Sequence, residues 1–533
     1  MAAQLFADWL LVNGRVLTVD SRQPQAEACA VRNGKFAAVG SSTELRALAG
    51  PATEVLDLAG RTVVPGFIDA HVHVLSSGVL HLLAADCTLP SVAAVLQALR
   101  ERAARTPEGG WVRGFQFDDT KMAEQRHLTR ADLDSVSTRH GIFVEHRGGH
   151  TSYVNSLALR LAGLSRETPD PSGGRLERDA RTGELTGVLH EKARELLGGN
   201  LLPKPTAADY REGLRLICRM FNRSGLTSVH DACVTPSELR SYQEGCAEGE
   251  LTLRTYTLIE AASLERMRSA GLRTGFGNEM LRLGGIKFFT DGAIAGRTAY
   301  LSEPYVGSQE RGILAFTAEE LYEPMRCAHE AGFQLCTHAN GDAAIEMTLD
   351  LYEKILAAHP RPDARPRIEH CTVVNARILE RMRKLGCIAT PFCTYVYFHG
   401  EKMKFYGAAR LERMFAQRSF LDHGIVSTGA TDYPPGPFEP LLGIQSCVTR
   451  TDHSGTVWGP SQRISVEEAL RLYTQQGAYA SFEEDLKGSI TPGKLADFVV
   501  LGANPMSVDP QTIKDIPVEM TVLGGKVVFD ARA

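Results

Sequence analysis

No run of 18 consecutive apolar residues occurs in the chain. A helix needs about 20 such residues to cross a bilayer, so the sequence predicts no membrane span. A surplus of positive charge is also missing: 58 Lys and Arg stand against 63 Asp and Glu, a formal net charge of −5. Nucleic acids and anionic membranes are held largely by clustered cations, so neither is an expected partner. The N-terminal stretch MAAQLFADWLLVNG carries no Lys or Arg ahead of its apolar part and so lacks the charged start of a secretory signal. The 11 cysteines follow no framework; Cys29 and Cys87 stand alone, and Cys336 sits in the apolar run FQLCTHA. That pattern suits reduced thiols in a cytosol, and a cytoplasmic location is the expectation. What is present is ordinary: 43% hydrophobic and 23% charged residues over 533 positions. This is globular composition, long enough for one large domain with additions.

The first 65 residues read as short strands with turn signals: WLLVNGRVLTVD, ACAVRNGKFAAVG and EVLDLAGRTVVPG. Asn13-Gly14, Asn33-Gly34 and Ala59-Gly60 lie between the apolar runs, where hairpins need positive φ. The far end repeats the pattern in GKLADFVVLG and EMTVLGGKVVFD, with Gly524-Gly525 as the turn. Neither end covers its own apolar face. Residues 1–65 and 485–533 are therefore expected to pair into one composite β-sandwich domain around a second domain spanning 66–484.

The middle alternates strand-like and helix-like segments. Candidate strands are 66–73, 226–232, 253–260, 284–292, 333–341, 367–371, 387–393 and 425–432. Eight strands alternating with helices predict an α/β fold, a (β/α)8 TIM barrel, whose chemistry sits at the C-terminal strand ends. His73 and the second strand are more than 150 residues apart, whereas a βαβ unit takes roughly 30. An insertion of about 76–205 must follow the first barrel strand and lean over the barrel mouth.

The first strand runs through VVPGFIDAHVHV and ends with His71 and His73, which share one face. The fourth carries Lys287, the fifth ends with His338, the sixth with His370 and the eighth with Asp432. Each has an ordinary single explanation, such as a snorkelling lysine beside Phe288 and Phe289 or a turn-capping Asp432. Six such residues at the mouth-facing ends of five strands read jointly as a metal site. Four imidazoles and a carboxylate hold one or two divalent ions with a position open for water. An unmodified Lys287 ammonium would repel them, whereas a lysine carboxylated by CO2 is an oxygen ligand able to bridge two.

These residues resemble those of the amidohydrolase superfamily. Finer motifs are similar to its family 3 branch: GHTSYVNSLAL (149–159), GELTGVLHE (183–191), GLTSVHDA (225–232), IKFFTDGAIAGRTAYLSEPY (286–305), HANGD (338–342), RIEH (367–370) and GSITPGKLADFVVL (488–501). The resemblance runs over nearly the whole chain. It implies the barrel, the composite β-sandwich, and hydrolysis of a carbon–nitrogen bond other than a peptide bond, usually an amide. It implies His71, His73, His338, His370 and Asp432 as metal ligands, with zinc, one ion or two, as the expected metal; Lys287 is an N6-carboxylysine bridge if the centre is binuclear, and members of the superfamily also use one metal. A homodimer is the family-based expectation. Two departures stand near the expected pocket: Gly148 in HRGGH, where many relatives have Asp, and GATDYPP in place of Gly-Ser-Asp.

The expected reaction is attack of hydroxide, formed on the metal near pH 7, on the carbonyl of a small, partly apolar amide. Asp432 takes the proton and delivers it to the leaving nitrogen, which is too basic to depart unprotonated. His150 and His230 are candidates for carbonyl or substrate contacts; alternatively, His150 fixes the insertion and His230 fills a barrel layer. Glu191 is read as supporting the substrate site or as a helix-start carboxylate. Asp342 either orients His338 or caps the next helix. Trp111, Phe115, Phe117 and Tyr153 of the insertion are candidate pocket walls, with Arg147 or Arg297 meeting a substrate carboxylate. Deamination, or opening of a cyclic amide or imide, is the alternative reaction on the same site.

Overall fold

The computed structural model describes residues 6–198 and 201–533. Residues 1–5 of the expected terminal domain and 199–200 of the expected insertion lie outside them. Seven parallel strands form the barrel wall in chain order: Phe67–Val72, Leu226–Val234, Arg254–Glu260, Leu281–Phe289, Leu335–Ala339, Arg367–His370 and Ile388–Thr390. The eighth expected strand is irregular. It meets the seventh through single parallel bridges, Ala389 to Ser427 and Phe392 to Ala430. It meets the first through backbone bonds: Ala70 N–H donates to Gly429 O at 2.9 Å, Asp432 N–H to His71 O at 2.8 Å and His73 N–H to Tyr433 O at 3.0 Å. The barrel is closed by these bonds. Gly429 is required there, because a Cβ would fall 2.4 Å from the Tyr473 ring.

Helices cover the outside of the wall. Ala318–Glu330 and Asp342–Ala358 bury one apolar face each, and Leu321, Met325, Leu349 and Ile355 pack with strand residues Ile286, Leu335 and Ile368 in one core. Threonine caps the first of these: Thr317 accepts from Glu320 N–H while Glu320 returns a bond to the cap.

Both ends of the chain contribute to one six-stranded sheet, ordered Lys526–Asp530, Val518–Leu523, Phe498–Leu501, Thr62–Pro65, Arg15–Leu17 and Gln25–Ala26. A four-stranded N-terminal sheet lies against it, with Leu11, Val31 and Phe36 meeting Val16, Val63, Phe498 and Val522 in a shared core. Only two of the four expected turns close hairpins. Asn33-Gly34 (φ 51° and 72°) and Gly524-Gly525 (φ 54° and 76°) take the two positive φ values that a tight hairpin requires. Asn13-Gly14 and Ala59-Gly60 instead carry the chain from one sheet to the other. The runs flanking each of them do not pair together: Trp9–Val12 pairs with the strand at 54–57, and Arg15–Leu17 with Thr62–Pro65.

Between the first and second barrel strands, a separate six-stranded sheet runs from Ala85–Asp86 to Leu185–Glu191. It sits over the barrel mouth. Gln116 Nε2 donates to Pro434 O at 2.9 Å, and Lys402 Nζ meets Asp118 at 3.1 Å with both groups buried. No described helix is long and apolar enough to cross a membrane.

The barrel floor is tied to the terminal sheets by Arg254, which grips Asp497 through Nε (2.6 Å) and Nη2 (2.9 Å), both side chains buried. Removing one partner strands a buried charge. Arg254→Ala is expected to cost about 3–5 kcal/mol, whereas the paired Arg254→Met/Asp497→Leu protein loses clearly less; urea midpoints measure both.

Candidate metal centre

His71 is one residue from the end of the first barrel strand, and His73 opens the helix Val74–Leu83. Asp432 lies across the closing seam: its Oδ1 is 3.4 Å from His73 Nε2 and 3.6 Å from His71 Nε2. The ligand atoms of these three groups all fall within 4.8 Å of one another. Lys287 Nζ is 3.1 Å from His71 Nε2. The ring centres of His71 and His370 are 4.9 Å apart, and those of His370 and His338 are 4.4 Å apart. His370 Nδ1 stands 4.0 Å from Asp432 Oδ2. The six side chains expected to meet do so.

Two of them sit on unusual backbone. His370 has φ 68° and Asp432 φ 51°. Non-glycine residues in this region cost about 1–3 kcal/mol each and persist only where neighbours hold them. Asp432 is held by its N–H bond to His71 O.

The rings are fixed from behind. His71 Nδ1 bonds Glu369 Oε2 at 2.5 Å, His73 Nδ1 bonds Ala232 O at 3.0 Å, and His338 Nε2 bonds Gly292 O at 3.1 Å. A nitrogen that donates to an acceptor carries the proton, so its partner nitrogen presents a lone pair. These rings thus turn donor nitrogens toward the shared centre, the arrangement a divalent cation needs. Burial, with neighbouring Lys287, holds His71 well below the usual imidazole range, and burial brings His338 down to about 3. Burial likewise lowers His370 and pulls down the Lys287 ammonium. At His73, burial opposes the charge, but the hydrogen bond and charge of Asp432 outweigh it and raise the pKa. Metal binding requires neutral imidazoles; His71, His338 and His370 are held so, whereas a cation at the centre would have to displace the proton that Asp432 favours on His73.

Acidic residues pin the loops that carry the candidate ligands. Asp69, pushed up to about 7 by burial, accepts from His71 N–H (3.1 Å) and Thr431 N–H (3.2 Å). Asp231 accepts from Val74 N–H at 2.9 Å. Asp291 accepts from the N–H groups of Asn340, Gly341 and Tyr300 at 2.8–2.9 Å. Sequence reasoning missed Glu369, Asp69, Asp231 and Asp291. The signal available was an acid one or two residues from a site histidine in RIEH and FIDAH, an acid beside His230 in VHDA, and in FFTDG an acid just beyond the fourth strand.

The cluster opens into a pocket of about 280 Å³. Leu80, Phe115, Phe289, Pro434 and Pro435 form its apolar walls, and His150, Arg147 and Glu145 add polar ones. His150 is held by Glu191 at 2.7 Å, and its ring centre is 6.5 Å from that of His338. Glu191 itself has φ 49°. Arg147 donates to Pro434 O (3.3 Å) and Thr88 Oγ1 (2.9 Å) while lying over the Phe398 ring.

Other expected residues stand elsewhere. His230 is fully buried inside the barrel, below the ligands and away from the pocket, with Nδ1 accepting from Arg367 at 2.9 Å. Its ring is taken up by Arg367 within the barrel core and does not line the pocket. Arg297 is exposed and stacks on Phe405 rather than lining the pocket. Asp342 binds Ser302 N–H at 2.8 Å; Gly292 O, not Asp342, orients His338. Trp111, Phe117 and Tyr153 pack inside the insertion, and only Phe115 of that group reaches the pocket.

A second group of potential ligands, Asp118, Asp119 and His146, lies at the seam between insertion and barrel. There His146 Nδ1 accepts from Gly148 N–H (3.0 Å), so Nε2 carries the proton and donates to Asp119 (3.2 Å). Lys402 already neutralises Asp118. That group is an ion-paired joint, and the cation-ready set is the one at the barrel mouth.

Comparison with known proteins shows what the chain as a whole resembles. N-substituted formamide deformylase of Arthrobacter pascens is 32% identical over 98% of this chain and 98% of its own length. The crystal structure of an uncharacterized metal-dependent hydrolase from Pyrococcus horikoshii OT3 has a TM-score of 0.76 at 25% identity, over 94% of this chain and 99% of that one. Atrazine chlorohydrolase TrzN from Arthrobacter aurescens TC1, solved with zinc, shares the fold at a TM-score of 0.55 and 15% identity, over 98% of this chain and 95% of that one. The profile described as "Amidohydrolase family" matches residues 54–529. The chain belongs to the amidohydrolase family, and it carries that family's metal-dependent hydrolase architecture.

Proposed function

We propose that this protein hydrolyses the amide-type carbon–nitrogen bond of a small, partly apolar substrate, using one or two zinc ions held by His71, His73, His338, His370 and Asp432. The observation that carries this reading is the convergence of these side chains with Lys287, three of the rings being tied back so that a lone pair faces the centre. The donor set of imidazole nitrogens and a carboxylate suits zinc. Carboxylation of Lys287 by CO2 would replace a buried cation 3.1 Å from His71 with an anionic ligand, which fits a two-ion site better than an ammonium does. Bound metal supplies a polarised carbonyl and a water acidic enough to lose its proton near neutral pH.

The chain's own residues do the rest. The Asp432 carboxylate is partly open to the pocket and within 4.0 Å of three ligand rings. It receives the proton of the attacking water and passes it to the leaving nitrogen. His150, anchored through Nδ1 to Glu191, presents Nε2 to the substrate amide. Leu80, Phe115 and Phe289 exclude water around the apolar part of the substrate, and Arg147 lies at the far side for a polar end. The apolar walls favour an amide over a charged heterocycle. Deamination or cyclic-imide opening uses the same ligands, and a panel of N-acyl amines, cyclic imides and amino-heterocycles separates the three.

His71→Ala is expected to lose both bound metal and turnover, read as metal per chain by elemental analysis and as amine release. Asp432→Asn removes proton transfer and is expected to lower kcat about 10²–10⁴-fold with native circular dichroism. Full kcat in Asp432→Asn would contradict its role. A chelator is expected to abolish activity and zinc to restore it; activity unaffected by metal removal would contradict the reading.

A further inference from the structure

Below the ligand layer, the barrel interior holds a buried polar chain. Arg367 and Glu369 are two residues apart on the sixth strand and so share its inward face. Both are completely buried. The guanidinium grips the carboxylate twice, Nε to Oε1 at 2.8 Å and Nη2 to Oε2 at 3.0 Å. Its remaining bonds go to Ala70 O (2.5 Å) and His230 Nδ1 (2.9 Å). Glu369 Oε2 then reaches His71 Nδ1 at 2.5 Å. The backing of the other rings differs: His73 and His338 rest on the carbonyls of Ala232 and Gly292. Among the described residues, His71 is the ligand ring with a carboxylate within hydrogen-bond distance behind it.

The two kinds of backing are not equivalent. Hydrogen bonds to a charged acceptor are shorter and roughly twice as strong as those to a neutral one. A carboxylate behind a ligand imidazole draws on the Nδ1 proton and makes Nε2 a better donor. The bidentate grip of Arg367 prevents the carboxylate from turning away, and His230 and Ala70 prevent the guanidinium from moving. A buried ion pair is costly in a barrel core unless every group is bonded. Here its bonds end on a ligand of the site.

We propose that Glu369, braced by Arg367 and His230, is a positioning residue that fixes the His71 ring with Nε2 as metal donor and strengthens that donor above the carbonyl-backed histidines. The role rests on the reading of His71 as a metal ligand, and it assigns His230 a place in the site's support.

Zinc affinity tests it, independently of turnover. Glu369→Gln keeps the shape and removes the charge. Chelator competition is expected to show zinc held about 10–100-fold more weakly, and the visible spectrum of the cobalt-loaded protein is expected to shift. Thr521→Val, which deletes a buried 2.7 Å bond to Asn222 O in the terminal sheet, is expected to change neither. Wild-type zinc affinity and cobalt spectrum in Glu369→Gln would overturn the proposal. Should that variant not fold, proton NMR of the unmodified zinc protein decides: a strongly downfield imidazole N–H, lost in His71→Asn, supports the role, and its absence overturns it. An unmodified protein that takes up no zinc would overturn both this role and the metal reading beneath it.

Discussion

Two backbone hydrogen bonds across the barrel seam, Asp432 N–H to His71 O and His73 N–H to Tyr433 O, decide whether this chain has a site at all. They join segments more than 350 residues apart in sequence and set the Asp432 carboxylate against two imidazoles. The eighth segment is too irregular to pair along its length, so these few bonds with the bridges at Ser427 and Ala430 do the closing. At the end of this segment Asp432 takes a positive φ, and its carboxylate stands within 4.0 Å of the His71, His73 and His370 rings.

Burial has two effects at this mouth. It makes charge on His71, His338, His370 and Lys287 unfavourable, which leaves nitrogen lone pairs free, while at His73 the Asp432 carboxylate outweighs it. It also makes each unpaired polar group expensive. The molecule resolves this by tying rings to Glu369, Ala232 O and Gly292 O, and loops to Asp69, Asp231 and Asp291. A cation at the centre would face rings with little orientational freedom left, so little ordering remains to oppose binding.

Much of this was legible in the sequence for a physical reason. Strand-end histidines and an aspartate keep their meaning because barrel topology sends every C-terminal strand end to the same face. The insertion was legible as an excess of chain between His73 and Leu226. Less legible were features set by tertiary pairing. Asn13-Gly14 and Ala59-Gly60 have the chemistry of hairpin turns, yet they pass between sheets because each flanking run finds a different partner. His230 reads as a pocket residue in sequence, but tertiary pairing with the buried Arg367 guanidinium holds its ring in the barrel core. Glu369 and Asp291 look like solvated acids in a linear reading, with their nearness in sequence to site residues as a hint; in the closed barrel they are buried against His71 and His338.

On the proposed reading, a divalent ion sits among His71, His73 and Asp432, with His338, His370 and Lys287 completing the centre. Anomalous diffraction at the zinc edge from crystals of the zinc-loaded protein tests it most directly. A peak about 2.0–2.1 Å from His71 Nε2 and His73 Nε2 is the predicted result. A well-ordered barrel mouth with no peak there, or a peak only at the Asp118–His146 seam, would contradict it.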